Sequence, residues 1–185
     1  MGKRAREDAE ATEQDKRRVE IWTDGSHIKG TQKMGFGIYV RIGEREGEIS
    51  VSASPAVLSR ALGVHGTDAV YSNPTLELAA AIVAIRRVSQ HVGATDHVLV
   101  YADYNGVPNY ANGVWDARRA SAKTPLFARA ARCLRAEVEN LRKRTRVDVI
   151  WVRGHTGNAG NDRADSLAKA GDDRDTFDDA FGAAQ

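Results

Sequence analysis

The stretch "HVLVYAD" at residues 97–103 constrains the fold more strongly than any other part of the sequence. It is a short and nearly continuous apolar run, which is typical of a central strand buried on both faces. Long helical patterns flank it in the chain, at residues 73–93 and 124–144. A buried strand between two helices indicates a sheet covered by helices, and therefore an α/β fold.

Both long helices carry boundary signals. Pro74 suits the first turn of the first helix, and Gly93 suits its C-terminal end. Thr124 suits the N-cap of the second helix, and Pro125 suits its first position. We therefore predict that both segments are helical over these ranges.

Three alternating patterns rich in β-forming residues precede the first helix, at residues 18–26, 35–43 and 46–54. With the stretch from Gly43 to Gly47 as a hairpin connection, they predict an antiparallel meander. The residues that follow, 55–73, are predicted to form a loop with room for one short helical turn.

The remaining patterns complete one sheet. We predict a short helix at about residues 105–113, a strand at 146–152 and a final helix at 160–171. The order of elements is then βββαβααβα. Because the fourth and fifth strands follow helices, we expect them to lie parallel to the first. The predicted fold is a five-stranded mixed sheet flanked by helices.

Composition narrows the class of protein. The chain has 185 residues, of which 42% are hydrophobic and 28% charged, as in a soluble globular domain. No apolar run approaches the roughly 20 residues that cross a bilayer, and the N-terminus has no apolar signal region. The lone Cys133 allows no internal disulfide. We expect an intracellular protein, cytoplasmic or nuclear, with no membrane partner.

Charge divides the chain into three parts. Residues 1–17 are polar and without apolar periodicity, so we expect a flexible charged arm. Residues 18–171 form the predicted catalytic domain, and residues 172–185 form an acidic tail. The net charge is +2 overall, but basic side chains outnumber acidic ones in the domain, which favours a polyanionic partner weakly.

Four acidic side chains fall at the edges of predicted elements. Asp24 and Asp103 each end an apolar strand, Glu77 lies in the first turn of a helix, and Asp165 lies in the final helix. Each has an ordinary structural explanation, because aspartate often begins a turn and glutamate suits a helix N-terminus. However, the carboxyl ends of parallel strands share one edge, where α/β proteins generally build their sites.

Acids gathered at one edge would repel one another unless a cation compensates them. Ligands that are all oxygen favour Mg²⁺ or Mn²⁺. Paired ions about 4 Å apart are the known apparatus of phosphodiester hydrolysis. The residues therefore predict a divalent metal site.

The motifs "IWTDGS", "LELAAAIVAI", "VYAD" and "WVRGHTGNAGNDRADSLAKAG" together resemble ribonuclease H of type 1. They are also similar to the ribonuclease H domains of retroelements. The resemblance covers roughly residues 19–171. It implies a ribonuclease H-like fold and an endonuclease that hydrolyses the RNA strand of RNA/DNA hybrids with two Mg²⁺ ions, for which Mn²⁺ can substitute.

The resemblance also implies residue roles. Asp24, Glu77, Asp103 and Asp165 match the four metal-binding catalytic carboxylates, and His155 matches a mobile histidine that assists proton transfer or product release. Gly154 and Gly157 would let the loop move His155. We interpret Asn161 and Asp162 as the start of the final helix and its support.

The resemblance is weaker on the substrate side, where the expected contacts come from five residues. Asn73 and Asn105 are candidates for minor-groove contacts, and a shortened basic protrusion contains Trp115, Arg118 and Arg119. The bend "HIKGTQKMG" has few glycines where the family has many, which weakens the prediction of strict RNA specificity. These residues have ordinary alternatives as turn, cap and solvated surface residues.

Two other functions fit the same sequence. One is a nuclease of the same fold that acts on other nucleic acids. The other is a binding module for hybrids that has lost catalysis, although four clustered acids without a metal would repel a phosphate backbone. We expect a monomer in each case.

Overall fold

The computed structural model describes residues 17–28, 31, 33–63, 72–116 and 125–183, and it confirms the predicted five-stranded mixed sheet flanked by helices. The order across the sheet is β3-β2-β1-β4-β5. β1 pairs antiparallel with β2 and parallel with β4, and β5 is parallel to β4. The strands are β1 Arg18–His27, β2 Met34–Ile42, β3 Arg45–Ser52, β4 His97–Ala102 and β5 Arg146–Trp151.

Six helices accompany the sheet in the described residues, two more than the predicted order contains. They are α1 Pro55–Leu62, α2 Asn73–Val88, α3 Gly106–Ala111, α4 Pro125–Arg142, α5 Ala159–Ala170 and α6 Phe177–Phe181. The additions are α1 and α6. The predicted N-cap of α4, Thr124, lies outside the described residues.

The prediction of a loop at 55–73 is wrong for its first eight residues, which form α1. The Ser54 side chain accepts a hydrogen bond from the Val57 amide, and Gly63 ends the helix with a left-handed φ of 61°. Leu58 and Leu62 are buried in the core. Two good caps and two buried leucines therefore stabilise a helix of only eight residues.

Two other boundaries differ from the predictions. α2 ends at Val88, before the predicted Gly93, and the Ser89 hydroxyl donates to the Arg86 carbonyl where the helix stops. The β2–β3 connection is shorter than predicted, because Ile42 pairs directly with Arg45. The turn is therefore a two-residue one, with Gly43 at a φ of 62°.

Helices α2 and α5 pack on opposite faces of the sheet. Gly25 of β1 lies against α2, whereas Gly37, which pairs with Asp24, lies against α5. A Cβ atom on Gly37 would lie 2.2 Å from the Ala164 carbonyl oxygen. Only glycine permits this approach, so the backbone of α5 rests directly on β2.

Both edges of the sheet are covered. At β3, the Ser50 amide donates to the Arg174 carbonyl at 2.7 Å, and the Thr176 amide donates to the Glu48 carbonyl at 2.8 Å. Phe177, at the start of α6, is fully buried. Part of the predicted acidic tail therefore lies along β3, while the three-part division of the chain stays a prediction.

At β5, two side chains cover the open edge. The Arg142 guanidinium donates to the Val147 carbonyl at 3.1 Å, and the Asn112 amide donates to the Val149 carbonyl at 3.3 Å. Arg142 also donates to the Asn112 side-chain oxygen at 2.7 Å. None of the helices in the described part of the chain has the length and apolar character that a membrane span requires.

Candidate active site

Three of the four predicted carboxylates meet beside the carboxyl end of β4. Asp24 does not end its strand as predicted, because β1 continues to His27 and Asp24 pairs with Gly37 of β2. Asp24, Glu77 and Asp103 each offer one oxygen atom, and these oxygens all lie within 4.8 Å of one another. Asp24 is 5% exposed and Glu77 is 4% exposed. The structure therefore concentrates negative charge in a place that water hardly reaches.

Backbone packing produces this meeting of acids. Asp24 and Asp103 each follow a residue of the last β1–β4 pair, Thr23 and Ala102. Gly25 lies so close to α2 that a Cβ atom there would be 2.4 Å from the Glu77 amide nitrogen. Because no side chain separates β1 from the start of α2, Glu77 is held beside Asp24.

Burial and mutual repulsion change the acidity of this pair. Burial, followed by the charges of Asp103 and Asp165, raises the pKa of Asp24 to about 7. Burial, followed by the charges of Asp24 and Asp103, holds the pKa of Glu77 well above its usual range. Without a cation, the pair therefore retains protons at pH values where free carboxyl groups have lost them.

The donor set fits a hard divalent cation. All three side chains offer oxygen, which Mg²⁺ and Mn²⁺ prefer. The Glu77 Oε2 atom is buried and has no hydrogen-bond donor among the described residues. A buried carboxylate oxygen without a partner is costly, and a metal ion would compensate it.

Asp165 lies outside the group of three. Its Oδ2 atom accepts a hydrogen bond from the Lys169 ammonium at 2.6 Å, one turn further along α5. Its charge nevertheless raises the pKa of Asp24, so it acts on the same site. Its role as a metal ligand stays a prediction.

Asp103 is contacted by three residues whose role the sequence did not indicate. The Asn161 side-chain amide donates to Asp103 Oδ2 at 3.2 Å, and the Trp151 indole donates to the Asp103 carbonyl at 2.8 Å. A Cβ atom on Gly154 would lie 2.5 Å from Asp103 Oδ2. Gly154 therefore makes room for the carboxylate, in addition to any freedom it gives the loop.

The sequence predicts Asn161 at the start of the last helix, and it lies in the first turn of α5. The N-cap residue is Asn158, and its side chain accepts a hydrogen bond from the Asn161 amide. Asn161 is 1% exposed. Its Oδ1 atom has no hydrogen-bond partner among the described residues. Asn161 lies one helical turn before Asp165 on α5, which faces the three carboxylates. This four-residue spacing is the only sequence signal for the position of Asn161.

His155 lies on the exposed loop between β5 and α5. Its backbone has a φ of 55°, in the left-handed region, and Gly157 follows with a φ of 81°. This loop thus contains two residues, separated by Thr156, in conformations that most side chains avoid. The catalytic role of His155 stays a prediction.

Three of the predicted substrate-binding residues lie in the described part of the chain, each in a different setting. The Asn73 side-chain oxygen accepts from the His27 amide at 2.7 Å, which ties α2 to the end of β1. Asn105 is exposed just before α3, and Trp115 packs edge-on against Tyr110 at 5.4 Å between ring centroids. Arg118 and Arg119 lie outside the described residues. Their roles in binding stay predictions.

Comparison with known proteins identifies the family. The family model described as RNase H matches residues 16–173. The chain belongs to the RNase H family. A protein named Ribonuclease H from Nitrosomonas eutropha is 31% identical to this RNase H chain over 166 residues, which cover 85% of the chain and 91% of the relative. The resemblance found in the motifs is therefore confirmed.

Solved structures show the same fold. RNase H1 from the archaeon Halobacterium salinarum NRC-1 is similar with a TM-score of 0.54 at 19% identity, over 83% of this chain and 96% of that one. LC11-RNase H1, solved in complex with an RNA/DNA hybrid, is similar with a TM-score of 0.51 at 13% identity, over 81% of this chain and 96% of that one. The similarity in fold thus covers about four fifths of this chain and 96% of each of the two solved proteins.

Proposed function

We propose that this protein is an endoribonuclease that hydrolyses the RNA strand of RNA/DNA hybrids with two Mg²⁺ ions, for which Mn²⁺ can substitute. The observation that carries the proposal is the buried meeting of Asp24, Glu77 and Asp103. Membership of the RNase H family supports the reaction class. The complex of LC11-RNase H1 with a hybrid supports the choice of substrate.

In this proposal the four carboxylates, Asp165 included, hold the ions. When bound, the ions would supply Lewis-acid stabilisation of the phosphate and a nucleophile at neutral pH. The protein residues supply the setting. Burial of Asp24 and Glu77 excludes water, and Asn161 orients the Asp103 carboxylate.

His155 and Lys169 have roles in the proposed reaction in addition to those of the carboxylates. His155 is exposed on its loop and is assigned to proton transfer to the leaving group or to product release. The Lys169 ammonium neutralises part of the Asp165 charge. On the substrate side, Asn73, Asn105 and Trp115, with Arg118 and Arg119, contact the hybrid, and the protein acts as a monomer.

A cleavage assay tests the proposal. Wild-type protein is expected to cut labelled hybrid with either Mg²⁺ or Mn²⁺. Asp24→Asn is expected to lose about a thousandfold in rate, because the metal ions contribute several kcal/mol of transition-state stabilisation. Asp179→Asn, which changes an exposed aspartate of α6 in the same way, is the matched control and should retain wild-type activity.

Parallel assays with double-stranded RNA and double-stranded DNA test the choice of substrate. Preference for either of these over hybrid would favour a related nuclease. Tight hybrid binding that is unaffected by Mg²⁺, with no cleavage, would instead favour a binding module and contradict the enzymatic proposal.

A further inference from the structure

Trp151 is a large aromatic residue with no evident packing role. It is the last residue of β5, and 51% of its surface is exposed. Trp22, by contrast, is 5% exposed, so burial in the core does not explain the position of the Trp151 indole. Its one polar atom, Nε1, donates a hydrogen bond to the Asp103 carbonyl oxygen at 2.8 Å.

Asp103 lies just beyond the end of its strand. The last residue of β4 is Ala102, whose carbonyl accepts from the Val152 amide at 3.0 Å. The next carbonyl along the chain is that of Asp103, and it accepts the hydrogen bond from the Trp151 indole. This bond fixes the peptide plane that follows Asp103 and so limits rotation of its backbone.

The carboxylate of Asp103 is held by the same part of the chain. Asn161 donates to its Oδ2 atom at 3.2 Å. Gly154 lies so close that an added Cβ atom would be 2.5 Å from that oxygen. Because the carboxylate has little room, a small rotation of the Asp103 backbone would bring it against Gly154 or away from Asn161.

We propose that Trp151 is a positioning residue, which fixes the Asp103 backbone through its indole N–H and thereby sets the place of the Asp103 carboxylate. The inference rests on the proposed function, in which Asp103 is a metal ligand. A positioning role predicts that loss of the indole N–H weakens divalent metal binding, and does not merely lower the stability of the fold.

Two substitutions isolate the N–H group. Trp151→Phe keeps an aromatic ring but removes the donor. Trp151→His restores a donor, because the histidine Nε2 atom occupies the same place in a five-membered ring as the indole Nε1 atom. Trp115→Phe is the matched control, since it changes the other exposed tryptophan, which packs on Tyr110.

The measurement is the rise in unfolding temperature of each full-length protein with increasing Mg²⁺, which reports ion affinity without turnover. We expect the half-saturating Mg²⁺ concentration to rise roughly fivefold in Trp151→Phe, the effect of losing one ordinary hydrogen bond. The half-saturating Mg²⁺ concentration of Trp151→His should return to within about twofold of wild type. That of Trp115→Phe, measured like the others without hybrid so that a role in substrate binding does not enter, should equal the wild-type value. KM for hybrid at saturating Mg²⁺ should also be unchanged in Trp151→Phe.

Three results would overturn the inference. The first is a Trp151→Phe protein that is less stable but has the Mg²⁺ titration of wild type. The second is an unchanged titration with a raised KM for hybrid, which would make Trp151 a substrate contact. The third is a failure of Trp151→His to restore Mg²⁺ binding. Wild-type protein that binds Mg²⁺ but does not cut hybrid would contradict the proposed function and leave the titration comparison intact.

Discussion

At the scale of single residues, the adjacent carboxyl groups of Asp24 and Glu77 are a source of instability in the metal-free protein. Both are buried, and burial is the largest cause of the raised pKa of each. The charge of Asp24 raises the pKa of Glu77 further. A folded chain that must bury two acids side by side is less stable when both are ionised. Divalent metal should therefore stabilise the fold, beyond any part it has in catalysis.

The pH dependence of stability follows from the pKa of Asp24. Its value is about 7 in the folded protein, against 3.8 for an ordinary aspartate. In the metal-free protein, the unfolded chain loses this proton first, so the free energy of unfolding should fall as pH rises from about 4 to about 7, by at most about 4 kcal/mol. Asp24→Asn should flatten this fall and raise the unfolding temperature near neutral pH.

Thermal unfolding in the presence of a chelator, across this pH range, measures the effect. Asp179→Asn again serves as the control, because that aspartate is exposed. Equal unfolding temperatures for wild type and Asp24→Asn at pH 8 would contradict the raised pKa.

The acidic residues of the site are easier to predict from the sequence than the residues that hold them in place. The predictions for Asp24, Glu77 and Asp103 followed from strand ends and a helix start, which the chain order places on one edge. Asn161 and Trp151 contact Asp103 across a gap of about fifty residues in the chain. No local pattern specifies such a contact, because it depends on how β5 and α5 pack after the fold has formed.

At the scale of elements, the two outer strands show how the sheet avoids pairing with another chain. Exposed strand edges offer unpaired amides and carbonyls to any other strand. β3 is covered by the backbone of residues 174–176, and β5 is covered by the side chains of Asn112 and Arg142. The covered edges support the expectation of a monomer.

Removal of the side chains that cover the edge of β5 should let the protein self-associate. We expect the double variant Asn112→Ala with Arg142→Ala to self-associate with increasing concentration and to lose about 2 kcal/mol of stability, since two hydrogen bonds to strand carbonyls disappear. Sedimentation velocity over a range of concentrations measures association. Arg135→Ala, on the same helix but paired with Glu139, is the control and should stay monomeric. A double variant that remains monomeric at every concentration would contradict this account.

Elements were predictable where hydrophobic periodicity is strong and less so where caps decide. The five strands and the helices α2, α4 and α5 were predicted with modest errors at their ends. α1 is not predicted, although Ser54, Pro55 and Gly63 are boundary signals of the kind used for the two long helices. Its eight residues give only two turns, so the helical pattern between these signals is short.

At the scale of the whole molecule, residues 172–183 join parts of the fold that are distant in sequence. Phe177 is fully buried, and its ring packs against that of Phe181 at a tilt, with 4.8 Å between ring centroids. Arg87 of α2 pairs with Asp178 at 3.0 Å. The sequence predicts an acidic tail here because of its five aspartates, and two phenylalanines one helical turn apart give this segment an apolar face as well.

Truncation of Phe177 should test this contribution. Phe177→Ala is expected to lower the free energy of unfolding by about 3–5 kcal/mol, as for other large aromatic side chains removed from a core. Chemical denaturation with Mg²⁺ present measures the loss. Phe181→Ala, at a partly exposed position, should lose clearly less. Equal and small losses in both variants would mean that the segment contributes little to folding.

The contact between Gly25 and the start of α2 has a consequence for motion. Because the two backbones touch with no side chain between them, β1 and α2 have to open together, and Asp24 and Glu77 stay a fixed distance apart until the sheet itself unfolds. Residues 155–157 of the loop between β5 and α5 are exposed, and a Cβ atom on Gly157 would meet nothing within 4 Å. Amide protons of β1 and α2 should therefore exchange with heavy water only through global opening, while those of this loop exchange orders of magnitude sooner.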